Sequence, residues 1–322
     1  MKELRRPHKR FFAQAGTFLL PCLLACVLAL TLVGCGKDVT LVMGSTNPGQ
    51  LRDNEPVVLP TTAPGNAAQS NNKAVLDFSN SSDGYFCVKS KIPKTKVKVL
   101  VETPTGNQYQ YTVADTKKYV AFPFSEGNGT YKVGVWENIE GNRYAAIFSQ
   151  NIEVTLSDDF LPFLTPSQYV YYKEGDDATT FSQELTEGAT SELEAINGIY
   201  LWVAQNVTYD EEKLKTLASG YLPENTATIT TQSGICFDYA VLTVSMLRAQ
   251  RVPAQLVIGY AGSSYHAWIA VHSIEDGHLS YYQFDGTEWV RMDPTFDAAR
   301  DLSRDLSGSI GDGTNYQPMF YY

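Results

Sequence analysis

The chain has 322 residues and a formal net charge of −10, with 25 Lys and Arg against 35 Asp and Glu. That length accommodates one large or two modest domains. The acidic balance argues against nucleic acid as a partner and against a broad basic face for membrane binding.

At the N-terminus, Lys2, Arg5, Arg6, Lys9 and Arg10 precede an almost unbroken apolar run from Phe18 to Val33. Leu32-Val33-Gly34-Cys35 then resembles the lipobox of bacterial lipoprotein signals. By that resemblance residues 1–34 are a signal peptide and Cys35 is the lipidated first residue of the mature chain. The protein would then lie outside the cytoplasm, anchored to the bacterial cell membrane through its N-terminal lipid. An uncleaved membrane anchor is the alternative, because the run approaches the length of a span. The small Gly34 and the abrupt polarity after Cys35 favour cleavage. Removing residues 1–34 takes away five basic residues and one acid, Glu3, which leaves about −14.

Cys22 and Cys26 depart with the signal, so Cys87 and Cys236 are the remaining thiols. A disulfide between them is the plain pairing in an oxidising compartment. They fall in different predicted domains, so two free thiols are expected. Their separation makes no zinc site of usual spacing.

Residues 35–73 are rich in Asn, Pro, Gly, Ser, Thr and Gln and read as a flexible tether. From 74 to 156 the pattern changes to short alternating runs. Strands are expected at 74–78, 84–90, 96–102, 107–113, 118–124, 130–136 and 143–155, separated by turn signals such as Ser82-Asp83-Gly84 and Glu140-Gly141-Asn142. Short strands at this density suggest an antiparallel, immunoglobulin-like sandwich, with Cys87 in its core. A spacer or packing role is its simplest reading. Residues 157–189 read as an irregular connector with an acidic patch at Glu174, Asp176 and Asp177.

Helices come next. Ser191 and Glu194 have capping-box spacing, and Leu193, Ile196, Ile199, Tyr200 and Val203 repeat at helical intervals, so a helix is expected to Asn206. Residues 207–210 read as extended and 211–219 as a short helix. In Gly234-Ile235-Cys236-Phe237-Asp238-Tyr239-Ala240, Cys236 opens a helix running to about Ala249. Unpaired N–H groups and the positive end of the dipole there favour thiolate over thiol. A small buried hydrophobe is the plainer alternative for a lone cysteine. Strands follow at 255–260, 266–272, 280–284 and 288–293, the last two joined by an Asp285-Gly286 turn. The region 190–322 is therefore α+β, with helices first and an antiparallel sheet after. Its aromatic tail, Met319-Phe320-Tyr321-Tyr322, is a candidate edge strand.

A nucleophilic thiol needs a base and a group to orient that base. His266 opens one expected strand and Asp293 closes another, so a helix N-terminus packed on that sheet can meet both.

At these positions the chain resembles the transglutaminase-like superfamily in its bacterial extracytoplasmic form. The matching pieces are Trp202-Val203, Asn206-Val207-Thr208-Tyr209-Asp210, Ser219-Gly220-Tyr221-Leu222-Pro223 and the Cys236 heptapeptide. They continue with Met246-Leu247-Arg248, Val257-Ile258-Gly259-Tyr260, His266-Ala267-Trp268 and Met292-Asp293-Pro294-Thr295-Phe296, in the family's order across about 190–297. The resemblance implies a papain-like fold with Cys236 as nucleophile, His266 as base and Asp293 as orienting carboxylate. It implies transamidation, deamidation or amide hydrolysis on protein, peptide or cell-wall peptide substrates.

Tyr209 and Gln232 are candidate oxyanion-hole donors beside the Cys236 N–H. Asp238 reads as a helix-start carboxylate, His272 as a second histidine on the His266 strand, and Trp268 and Trp289 as core or cleft wall. No cofactor or metal is implied, and the oligomeric state is not legible. Two non-enzymatic readings compete: a cell-surface binding lipoprotein that keeps the fold with its triad disused, and a structural lipoprotein whose sandwich does the binding.

Overall fold

Alternating side chains build the first half of the fold. The computed structural model describes residues 50–92, 96–115, 117–298 and 315–322, so the expectations for 1–34 and for Cys35 lie outside the described residues. In chain order the strands are β1 (Ala68–Ser70), β2 (Ala74–Asp77), β3 (Tyr85–Ser90), β4 (Val97–Glu102), β5 (Gln108–Thr112), β6 (Val120–Pro123), β7 (Gly129–Glu140) and β8 (Arg143–Val154). They form two four-stranded antiparallel sheets, ordered β1-β2-β3-β6 and β5-β4-β7-β8. In β4, Val97, Val99 and Val101 are buried, while Lys98, Leu100 and Glu102 are partly exposed. Aromatic rings join the sheets: Tyr111 meets Phe122 at 4.7 Å and Tyr131 meets Phe124 at 4.7 Å. Burying each such ring contributes about 2–3 kcal/mol.

The second half begins with α1 (Asp177–Leu185), α2 (Glu192–Asn206), β9 (Thr208–Tyr209), α3 (Glu211–Thr216), α4 (Asn225–Thr231) and β10 (Ser233–Gly234). After them come α5 (Cys236–Ala249), β11 (Ala254–Ala261), β12 (Ser264–Val271), β13 (Asp276–Leu279), β14 (Tyr282–Asp285), β15 (Val290–Met292), α6 (Pro294–Ala298) and β16 (Tyr316–Tyr321). Helix α5 is buried from Asp238 to Ala249 and packs on an antiparallel sheet ordered β15-β12-β11-β16. At its end lies Arg248, 1% exposed. Its guanidinium donates to the carbonyls of Ala254 (2.9 Å), Thr165 (2.9 Å) and Tyr322 (2.7 Å), and burial lowers it to about 10. One buried cation thereby ties the connector, the sheet and the C-terminus to the central helix.

Three expectations change. The connector contains α1, capped by Asp176, whose carboxylate accepts from the Thr179 N–H. Its residues, Asp-Ala-Thr-Thr-Phe-Ser-Gln-Glu-Leu, carry too few apolar side chains to show a period, but Phe181 packs edge-on against Trp202 at 4.6 Å. The expected hairpin through Asp285-Gly286 is absent: β14 pairs with β13, and β15 pairs with β12. Part of the expected tether is also held in place. Arg52 donates to Gln250 Oε1 at 3.1 Å, the Val57 N–H donates to the Ala249 carbonyl at 2.8 Å, and Arg251 donates to the Glu55 carbonyl at 2.7 Å. A polar segment without periodicity docks here through hydrogen bonds at the end of α5. Strand β1 likewise lies within the stretch expected to be tether.

The C-terminal strand borders the first half. The Tyr322 ring lies edge-on to Tyr109 (5.5 Å) and Tyr111 (5.7 Å), and the Tyr321 N–H donates to the Tyr109 hydroxyl at 3.2 Å. This places β5 beside β16. Among the described residues, no helix is long and apolar enough to cross a membrane.

Candidate active site

Cys236 is the first residue of α5, half-buried, with the helix entered through extended Ile235. The Asp238 carboxylate reaches back to accept from the Ile235 N–H at 2.8 Å, which closes the first turn. Asp238 is fully buried; it also pairs with Lys213 at 2.8 Å and accepts from the Tyr221 hydroxyl. Its role is structural, as its place at a helix start suggested. Gly234 makes the turn possible, because a Cβ there would lie 2.6 Å from the Asp238 Cβ.

His266 comes from β12 and Asp293 from the end of β15. His266 Nε2 lies 2.8 Å from Asp293 Oδ2, with the ring 7% and the carboxylate 0% exposed. The Cys236 side chain lies beside the imidazole, acts on it through a hydrogen bond and charge, and lines the same cleft. Burial by itself would push the imidazolium down. The hydrogen bond to Asp293, then the one to Cys236, and both negative charges outweigh that and raise the ring to about 10. The ring stacks on Phe296 at 4.7 Å.

Among the described residues, Asp293 accepts four hydrogen bonds. Oδ2 takes His266 and the Tyr316 hydroxyl (2.8 Å), and Oδ1 takes the N–H groups of Thr295 (3.1 Å) and Phe296 (3.2 Å) at the start of α6. Its own N–H donates to the Tyr282 hydroxyl at 3.2 Å. Tyr316, seventh from last among aromatic and polar residues of the tail, has no fixed spacing to the triad, and sequence reasoning missed it.

Tyr209 reaches the thiol through a two-residue parallel ladder that pairs β9 with β10, Thr208 with Ser233 and Tyr209 with Gly234. Its side chain lies beside Cys236; burial, then the charge of Cys236, raises its hydroxyl. Gln232 is not brought to the cleft. It is exposed at the C-cap of α4 with φ 48°, and its carbonyl accepts from the Thr208 N–H at 2.8 Å. Its contribution is to the backbone that aligns Tyr209.

His272 is buried between Phe160 (4.4 Å) and Trp289 (5.6 Å), where burial lowers it. His278 is exposed on β13. Cys87 is a buried free thiol, pushed up to about 12 by burial and then by Asp77.

Cys236 and His266 open onto a cleft of about 640 Å³. Its walls are the 214–221 segment, Phe237, Tyr265, the end of the chain at Phe320 and Tyr322, and, from the first half, Gln108 and Gln110. A second cleft of about 700 Å³, lined by Trp268, Trp289 and Tyr316, contains neither Cys236 nor His266. Among the described residues, no cluster of His, Cys, Asp and Glu is placed to hold a metal ion.

Residues 179–294 match the family model of the transglutaminase-like superfamily. Over 88 residues the chain is 35% identical to the UPF0252 protein MJ1282 of Methanocaldococcus jannaschii. That stretch is 24% of this chain and 25% of the relative, so the chain spans about a quarter of the curated relative it matches. Solved structures similar to it include the following three. A candidate cysteine protease from Cytophaga hutchinsonii shares 17% identity over 74% of this chain and 83% of its own, with a TM-score of 0.39. The periplasmic domain of TgpA from Pseudomonas aeruginosa shares 12% over 71% and 97%, with a TM-score of 0.32. Red sea bream transglutaminase shares 11% over 66% and 48%, with a TM-score of 0.31. The helices and antiparallel sheet described above hold a transglutaminase-like core, and Cys236, His266 and Asp293 all lie within the stretch, residues 179–294, that is similar to the transglutaminase-like superfamily.

Proposed function

We propose that this chain is a surface-tethered thiol enzyme that acts on carboxamides of proteins or peptides, cell-wall peptides included, through an acyl-enzyme on Cys236. The observation that carries the reading is the buried 2.8 Å contact between His266 and Asp293, with His266 and Cys236 side by side on one cleft. A ring held to about 10 carries its proton at neutral pH, where it can serve as an acid toward a departing nitrogen.

The chemistry follows from these positions. The sulfur attacks the carboxamide carbon, and the carbonyl oxygen becomes an oxyanion facing the Cys236 N–H and the Tyr209 hydroxyl. His266 gives its proton to the departing nitrogen, ammonia leaves, and a thioester remains. An amine or water then adds to the thioester, His266 takes up the proton, and the thiolate is released. An amine yields transamidation; water yields deamidation or hydrolysis.

For the rest of the chain, the reading assigns 1–34 to a lipoprotein signal, Cys35 to lipid attachment, and the enzyme to the outer side of the bacterial cell membrane. The support is Leu32-Val33-Gly34-Cys35. It assigns 74–156 to an immunoglobulin-like sandwich, supported by the set β2-β3-β6 facing β5-β4-β7-β8. The alternative, a non-catalytic binding lipoprotein, has to explain why a partly exposed thiol keeps a buried acid–base pair beside it. The test is amine incorporation into a glutamine-bearing protein, with ammonia release measured with and without the amine. Neither product from wild-type protein, over a range of glutamine-bearing proteins and peptides, favours the binding reading.

A further inference from the structure

Strand β5 lies at an edge of its sheet, where β4 is its neighbour. The register settles which of its main-chain groups are in use. The Val113 N–H donates to the Val97 carbonyl and the Thr103 N–H to the Asn107 carbonyl, in the register that sets Tyr109 opposite Val101 and Tyr111 opposite Val99. Antiparallel pairs alternate, so 107, 109, 111 and 113 turn N–H and C=O toward β4, and 108, 110 and 112 turn theirs away. The Thr112 carbonyl is taken by Gln168 Nε2 at 2.9 Å. Among the described residues, no strand takes the outward groups of Gln108 and Gln110.

Exposed edges are ordinarily blunted by Lys, Pro or a bulge. β16, an edge of the β15-β12-β11-β16 sheet, carries Pro318, and its pairing with β11 shifts register at Ile258/Gly259. β5 reads Gln-Tyr-Gln-Tyr-Thr, with none of these devices. Its two glutamines also line the cleft that contains Cys236 and His266. An unblunted edge, continuous with the cleft of a thiol, is suited to an extended chain. At about 640 Å³ the cleft holds several times the volume of one carboxamide side chain.

We propose that the outward edge of β5 binds an extended polypeptide by strand addition, pairing its main chain with Gln108 and Gln110 and presenting one of its side chains to Cys236. This rests on the acyl-transfer reading only for the word substrate, and it names that substrate as polypeptide in β conformation. Affinity comes from main-chain hydrogen bonds, so side-chain demands away from the reacting carboxamide are modest.

The test uses the full chain carrying Cys236→Ala, so that binding is read without turnover. The probe is a short fluorescein-labelled peptide of alternating Thr and Val with a central Gln, followed by anisotropy. Two analogues carry backbone N-methyl groups in opposite alternating registers. One register is expected to bind about tenfold more weakly and the other nearly unchanged. Gln110→Pro removes an outward N–H and no ladder bond, and is expected to lose about tenfold with its thermal midpoint retained; Gln110→Ala keeps the N–H and is expected to stay within about twofold. Equal binding of the two N-methyl registers, no measurable binding of the parent peptide, or parent-like affinity in a folded Gln110→Pro protein each overturns the proposal. The N-methyl comparison decides even where the proline variant fails to fold. Register-dependent binding with no turnover of any carboxamide would remove the acyl-transfer reading and leave the edge site standing. Wild-type turnover of a minimal glutamine amide with no register effect would do the reverse.

Discussion

Tyr316 donates its hydroxyl to Asp293 Oδ2, the same oxygen that holds His266. Two donors share one carboxylate oxygen in a buried site, so each weakens the pull on the other. Tyr316→Phe is expected to raise His266 above about 10 and to lower turnover about three- to tenfold, because a more tightly held proton is a poorer acid toward the leaving nitrogen. The His266 ring resonance, followed by NMR titration, reads the first effect. A downward movement would mean that the tyrosine positions the carboxylate and does not share its charge.

The triad members separate by assay. His266→Ala removes the proton donor and the positive charge beside the sulfur, so iodoacetamide labelling of Cys236 near neutral pH should slow sharply and turnover should drop by about a thousandfold or more. Asp293→Asn should be milder on labelling and severe on turnover, and it should lower the His266 ring further than Cys236→Ala does, since the Asp293 hydrogen bond is the largest upward influence on the ring. Undiminished labelling at pH 6 in His266→Ala would exclude the imidazole as partner.

Stability should carry the same signature. The folded His266 ring stands at about 10, above its ordinary 6.5. Between those values the folded chain holds a proton that the unfolded chain has released. The resulting stabilisation is fully present below about 6.5 and is lost as pH rises through about 10. Urea midpoints of wild-type and His266→Gln protein should therefore converge as pH rises from 7 to 10.5. A constant gap would mean that the folded ring is neutral.

Gly234→Ala tests the turn that aims the thiol. The new Cβ would lie 2.6 Å from the Asp238 Cβ, a contact that only backbone movement relieves. A loss of about 1–3 kcal/mol is expected, read as a lower thermal midpoint. Labelling should slow as well, because Gly234 is paired with Tyr209. An unchanged midpoint would show that the first turn of α5 has room to shift.

Local chemistry made much of the chain legible. β2 to β8 follow the alternation of residues 74–155, α2 begins where Ser191 accepts from the Glu194 N–H, and α5 spans Cys236 to Ala249 as its apolar period requires. Cys236, His266 and Asp293 were nameable because each lies in a distinct motif at an element boundary, where backbone geometry and sequence are tightly coupled. Other features depend on partners remote in sequence. Threonine-rich α4 and polar α1 have weak intrinsic periods and exist through packing on neighbours. The pairing of β14 with β13 over β15, the docking of 52–57 on the end of α5, and the tie from Arg248 to Tyr322 are choices among distant surfaces. The same holds at the site. Sequence placed a thiol, a base and an acid in order along the chain, but the hydroxyl of Tyr316 on Asp293 and the Gln108–Gln110 edge beside Cys236 arise where β16 and β5 meet the core. Local propensity records the conformation of a segment. Which surfaces then meet is decided by complementary burial and hydrogen bonding across the whole fold, which no local pattern encodes.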